Sequence, residues 1–180
     1  MLRFGLLLAA VVFALDQASK YWILEVLQFS PPGCLEAHMG CRRIEISGVF
    51  DLSMNWNYGV SFGMLNDGGA FGRWALAALS LGIAGMFIAW MRTAERRLTG
   101  IALGLVVGGA LGNLIDRVRF GAVTDFLDFS GPWFRIGDLG VGFPWIFNVA
   151  DAAITVGAAL LALDFLRNGE GERSRKKAAA

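Results

Sequence analysis

The chain has 180 residues, 56% of them hydrophobic, a mean hydropathy of +0.55 and a formal net charge of +1. This composition excludes an ordinary soluble domain and points to a membrane. The near-zero charge gives no reason to expect a nucleic-acid partner. With two cysteines, one histidine and no CxxC or Cys/His cluster, no metal site and no cofactor are expected.

The first apolar window runs from Phe4 to Leu27 and carries Asp16, Lys20 and Glu25 inside it. Arg3 and the apolar run to Leu15 have the look of a cleaved signal peptide. No small-x-small site follows, however, and apolar character resumes at Tyr21-Trp22-Ile23-Leu24, so the window reads as a retained spanning helix. Asp16 and Lys20 stand four apart with the acid first, the better order for a helical ion pair. Such a pair anchors a helix in a bundle or serves a reaction, and the spacing does not choose. The Pro/Gly-rich segment Gln28–Arg43 follows, with Cys34 and Cys41 in it. In an oxidising compartment they would close a small disulfide loop, and otherwise they stay free thiols. His38, in the same segment, reads as a solvent-exposed loop residue.

From Ile44 to Asn57, Ile44, Ile46, Phe50, Leu52, Met54 and Trp56 fall on even positions, and Glu45, Ser47, Asp51, Ser53, Asn55 and Asn57 on odd ones. This alternation predicts one half-buried strand, with Gly48 as a bulge or kink. Phe62-Gly63-Met64-Leu65 reads as part of a mobile lid hinged at Gly59 and Gly63. Two more windows follow, Phe71 to Met91 and Leu98 to Ile115; a helix needs about 20 residues to cross about 30 Å of hydrocarbon. Gly100, Gly104, Gly108 and Gly112 are spaced by four, which lets a neighbouring helix approach closely. Asp116 is next in that series and should face protein. Asn113, Asp116 and Arg117 collect an amide, a carboxylate and a guanidinium on one helix face. Arg117 is suited to pair with an acid, to bind a substrate carbonyl or a lipid phosphate, or to act only as a clamp.

Val123–Phe129 is a second, weaker strand candidate. The fourth window, Ile146 to Leu166, has Asp151 near its start, and the polar tail from about 168 to 180 is expected to be disordered. The expected fold is a single membrane domain over 1–180: mainly α, a four-transmembrane-helix bundle with a small extracytoplasmic β-sheet. Arg3, the Arg92–Arg97 link and the basic tail are cytoplasmic by the positive-inside rule, which leaves 27–70 and 117–145 outside.

Asp125 and Asp151 lie at the same rim in unlike settings. Asp125 is flanked by Val123, Phe126 and Leu127, where desolvation favours the protonated form. Asp151, with Asn148 three residues before it, opens a helix, whose N-terminus favours an ionised carboxylate. One neutral and one ionised aspartate are what water activation requires. The chemistry thus points to an aspartic hydrolase. A small proton-coupled transporter, or a membrane module that binds lipid or peptide, is the alternative. A transporter would more often show internal repeats and acids near the midplane.

Asp16-Gln17-Ala18-Ser19-Lys20, Asn57-Tyr58-Gly59-Val60-Ser61-Phe62, Gly108–Arg117, Val123-Thr124-Asp125-Phe126 and Phe143–Asp151 resemble, in order, the five sequence blocks of bacterial lipoprotein signal peptidase, signal peptidase II. The resemblance implies a multi-pass enzyme of the bacterial inner membrane with both termini cytoplasmic and a periplasmic β-cradle. It implies cleavage of the signal peptide just before the diacylglyceryl-modified cysteine of a prolipoprotein. It implies Asp125 and Asp151 as the catalytic pair. Asn57, Asn113, Asp116, Arg117 and Asn148, with Asp16 and Lys20 of the first block, would bind substrate or support the site. Membrane lipids and globomycin-type inhibitors are the other implied partners, and a monomer is expected. Two features depart from the family pattern: the long Gln28–Arg43 insert, and Tyr58 and Val60-Ser61 where Thr and Ala-Ala are frequent.

Overall fold

A computed structural model of the chain describes residues 1–36, 41–59, 70–136 and 139–178. His38 and the lid segment Phe62–Leu65 lie outside the described residues.

Among the described residues, four segments are long and apolar enough to cross a membrane: Leu2–Val26, Phe71–Thr93, Arg97–Phe120 and Val149–Arg167. The first comprises α1 (Leu2–Tyr21) and a π-helical turn, Trp22–Val26. The others belong to α2 (Ala70–Thr93), α3 (Arg97–Phe120) and α4 (Val149–Ala178). In the most apolar stretch of α3, 67% of residues are buried, against 22%, 17% and 17% in α1, α2 and α4. α3 is therefore the central post, and the other helices pack around it. Its glycines explain the close approach. A Cβ placed on Gly104 would lie 2.7 Å from the Gly5 carbonyl oxygen, and one on Gly108 would lie 2.6 Å from that of Ala9. The four-residue stripe is thus the seam with α1. Gly109, one position round, makes the same room for the Ala150 carbonyl of α4. Outward faces carry exposed apolar side chains such as Leu7, Phe71 and Phe165, as expected where lipid is the solvent.

α3 stops at Gly121, whose φ of 81° suits a residue without a Cβ. The Gly121 N–H and the Arg73 Nε both donate to the Arg117 carbonyl, at 3.1 and 2.7 Å. The chain then turns into the sheet. β1 (Arg43–Glu45), β2 (Asp51–Asn57), β3 (Val123–Asp128) and β6 (Ile146–Phe147) form one antiparallel sheet in that order. β4 (Phe134–Ile136) and β5 (Leu139–Val141) form a separate hairpin. Ile23, Phe29, Met54, Trp56 and Phe126 make a buried core beneath the four-stranded sheet, at the top of α1.

Three expectations need correction. The single strand over Ile44–Asn57 is a hairpin, with Gly48 in its turn and no bulge there. The Ser47 hydroxyl accepts the Phe50 N–H at 3.0 Å, and the Ser47 N–H donates to the Phe50 carbonyl at 2.9 Å. The register pairs Ile44 with Leu52. Even positions thus stay on one face through the reversal, which is why the alternation survived it. The irregularity is in β2 itself, between Leu52 and Asn55, against β3. The fourth window begins as strand, not helix: Ile146 and Phe147 pair with Asp128 and Leu127, and α4 starts at Val149. The polar tail, expected to lack order from about residue 168, continues α4 as far as Ala178.

Candidate active site

Asp125 sits on β3, fully buried. Its Oδ2 accepts from Asn57 Nδ2 of β2 at 2.9 Å and its Oδ1 from Asn148 Nδ2 at 2.7 Å. Asn148 stands in the one-residue link between β6 and α4. Its Oδ1 accepts the Asp151 N–H at 2.9 Å, the bond of an N-cap residue to the third residue of a helix. Asn148 Nδ2 also reaches Asn113 Oδ1 on α3 at 3.2 Å, and Asn113 Nδ2 donates to Asp151 Oδ1 at 2.7 Å. Two amides therefore join carboxylates that lie 26 positions apart in the sequence. Asn57 completes the frame, its Oδ1 accepting the Gly59 N–H at 2.8 Å.

Asp16, Lys20 and Asp116 form a buried cluster below this frame. Lys20 Nζ lies 2.9 Å from Asp16 Oδ2, 2.9 Å from Asp116 Oδ2 and 3.1 Å from Asn113 Oδ1. The i, i+4 pair anticipated in α1 is present, and Asp116 does face protein. Arg117 forms no ion pair among the described residues; its Nη1 donates to the Asn113 carbonyl at 3.3 Å. It is half-buried and close to Gly59. Gln17 was not singled out in the sequence. Its Nε2 donates to Asp16, Asp116 and the Gly112 carbonyl at 3.1–3.3 Å. Nothing in the local sequence signals this, because two of the three partners, Gly112 and Asp116, lie 95 and 99 positions away.

Burial, and after it the negative charge of Asp151, push the Asp125 carboxyl up to about 7. The hydrogen bonds from Asn57 and Asn148 and the charge of Lys20 oppose this and do not overcome it. Asp128 on the same strand behaves differently. Burial pushes it up, but hydrogen bonds from Ser130 and Ser53 hold it below the usual carboxylate range. A cavity of about 940 Å³ opens beside the frame. Asn57 and Asp151 line it, with Thr155 and Val156 continuing down α4 and Phe129, Trp133 and Trp145 forming an aromatic wall. One polar end and a long apolar flank suit an amphiphilic chain.

Tyr58 and the Gln28–Arg43 insert, two of the features that depart from the family pattern, touch each other, while Val60 and Ser61 lie outside the described residues. Cys34 and Cys41 are disulfide-bonded, with Cα atoms 5.7 Å apart. The Tyr58 hydroxyl donates to the Leu35 carbonyl in the insert. Tyr58 thus ties the end of β2, next to Asn57, to the disulfide-closed segment.

Residues 8–167 match the family described as Signal peptidase (SPase) II. A lipoprotein signal peptidase of Caulobacter vibrioides is 41% identical over 170 residues, covering 94% of this chain and 90% of that protein. One of Aeromonas hydrophila is 41% identical over 172 residues, covering 94% and 89%. Among solved structures, a bacterial membrane enzyme determined by the in meso method at 2.3 Å superposes with a TM-score of 0.69. It is 25% identical and covers 93% of this chain and 90% of that one. A match over nearly the whole length, on a four-helix scaffold whose acids and amides converge at one rim, makes this multi-pass membrane protein a member of the signal peptidase II family.

Proposed function

We propose that the chain is an aspartic endopeptidase that cleaves the signal peptide from diacylglyceryl-modified prolipoproteins just before the lipidated cysteine. Family membership supports cleavage of lipoprotein signal peptides. The aspartic mechanism rests chiefly on one observation: Asp125 and Asp151 share an amide bridge beside a groove, and one of them is raised to about 7.

In this reading Asp151 takes a proton from water as its oxygen attacks the scissile carbonyl carbon. Neutral Asp125 gives its proton to the carbonyl oxygen, so a tetrahedral diol forms with charge balanced. Asp151 then passes its proton to the amide nitrogen and Asp125 takes one back from a diol hydroxyl. The C–N bond breaks, leaving a signal-peptide carboxyl group and the free amine of the lipidated cysteine. Asn57 and Asn148 hold the carboxyl of Asp125 in place, and Asn113 holds Asp151. Arg117, without an acid partner among the described residues, binds a substrate backbone carbonyl. The aromatic groove takes the acyl chains, with bilayer lipid as its resting neighbour, and a globomycin-type cyclic peptide would compete there. Distribution of Lys and Arg supports a bacterial inner-membrane location with both termini cytoplasmic and the site periplasmic. The Cys34–Cys41 bond fits that oxidising side. The unit is a monomer.

The test is mass spectrometry of a diacylglyceryl-modified model peptide incubated with purified protein. Wild type should release a signal peptide ending at the residue before the modified cysteine, while Asp125→Asn and Asp151→Asn, though folded, release none. A transporter or a binding module would yield no product from any of them, and turnover by either variant would remove the aspartic assignment.

A further inference from the structure

We propose that the buried cluster of Asp16, Lys20 and Asp116 positions the catalytic pair, each acid holding the backbone one residue ahead of one catalytic aspartate. This rests on the aspartic reading above. Asp16 Oδ1 accepts the N–H of Ala150 at 2.9 Å, immediately before Asp151. Asp116 Oδ2 accepts the N–H of Thr124 at 3.0 Å, immediately before Asp125. Lys20 bridges the two acids and reaches Asn113 Oδ1. That last bond orients the Asn113 amide, turning its Nδ2 toward Asp151. One cation on α1 thus fixes one strand entry, one helix entry and one amide, on three other elements.

Stability alone is a poor account of the cluster. Asp16, Lys20 and Asp116 are 0%, 2% and 1% exposed, and buried ion pairs of this kind are often no more stabilising than apolar replacements. Space is also reserved for it, since a Cβ on Gly112 would collide with the Asp16 carboxylate. The cost is understandable if the product is geometry, because an error of about 1 Å in placement can lower a rate by about 100-fold. The charge of Lys20 has a second effect. Asp125 is faced by Asp151 from α4, Lys20 from α1 and Arg117 from α3, while β2 contributes the uncharged Asn57. Removing Lys20 removes one of the influences that hold Asp125 down.

The experiment compares Asp16→Ala with Asp16→Asn, Asp116→Ala with Asp116→Asn, and Lys20→Gln, in purified full-length protein with the lipidated model peptide. Alanine leaves the backbone N–H without its acceptor, whereas asparagine keeps an oxygen there. We expect each alanine variant to lose about 100-fold in kcat with KM within about twofold, and each asparagine variant to regain about tenfold or more of that loss. Lys20→Gln should move the alkaline limb of the kcat profile to higher pH. Equal kcat for the alanine and asparagine variants, or an unmoved limb in Lys20→Gln, would overturn the proposal. Should the alanine variants not fold, the limb of Lys20→Gln decides. Should Lys20→Gln not fold, the comparison of the alanine with the asparagine variants decides. Asp125→Asn runs alongside: activity there sinks the aspartic reading itself, whereas an inactive Asp125→Asn beside fully active Asp16 and Asp116 variants sinks only the positioning role.

Discussion

At Asp125 two effects compete. Burial and Asp151 favour the neutral acid, two amide donors favour the carboxylate, and the outcome is a carboxyl at about 7. Because this group must carry a proton to serve as the acid, kcat should fall as pH rises through about 7, and Asp128→Asn should leave that limb in place. The same shift links pH to stability. A carboxyl raised above its unfolded value, 3.8, contributes stability that is whole below that value and is lost as pH rises toward and through about 7. The loss approaches at most about 1.4 kcal/mol per pH unit. Thermal unfolding of wild type in detergent should decline over that window more steeply than that of Asp125→Asn; parallel curves would contradict the assignment. Asn148→Ala removes a helix cap and a donor to Asp125 together. It should cost about 1–2 kcal/mol and move the alkaline limb upward, readable in unfolding and pH–rate profiles. At this scale the sequence exposed the acids, because ionisable groups at a membrane rim are costly and conspicuous. It could not expose their partners. Lys20 meets Asp116 across 96 positions, and Asn148, three residues before Asp151, caps α4 and turns its amide to Asp125.

Among the elements, α3 does most of the positioning. Its glycine stripe admits α1 closely enough for Asp16 and Lys20 to reach Asp116 and Asn113, and Gly109 admits the start of α4. Gly112→Ala should therefore separate α1 from α3 just where Asp16 lies. We expect a destabilisation of about 1–3 kcal/mol with a fall in kcat; Gly82→Ala, which meets open space in α2, should be neutral in the same thermal and kinetic assays. The helices were legible because runs of apolar residues near 20 long have few other uses. The sheet was less so. Period-two patterning marks a half-buried strand but does not say where it reverses, and an antiparallel turn that preserves parity is invisible to it. Two-residue β6 carries no periodicity at all and was absorbed into the following helix.

On the scale of the whole molecule, three helices surround one post, and a four-stranded sheet caps the end where the acids gather. The groove beside them joins a polar mouth to an apolar flank, the shape that a lipidated peptide at a bilayer surface demands. The proposed orientation rests on where Lys and Arg lie along the chain. A cysteine placed in the Arg92–Arg97 link of a Cys34→Ser/Cys41→Ser background should resist membrane-impermeant thiol reagents in intact cells, while one in place of Glu45 should react. The reverse pattern would turn the molecule over. The central claim is that Asp125 and Asp151 act as a unit on one water. The measurement that bears on it most directly is the single-turnover rate for Asp125→Asn, Asp151→Asn and the double variant on one lipidated peptide. Groups that act together are non-additive, so the double variant should be no slower than the worse single one. A double loss equal to the product of the two single losses, or appreciable turnover by either single variant, would contradict the account.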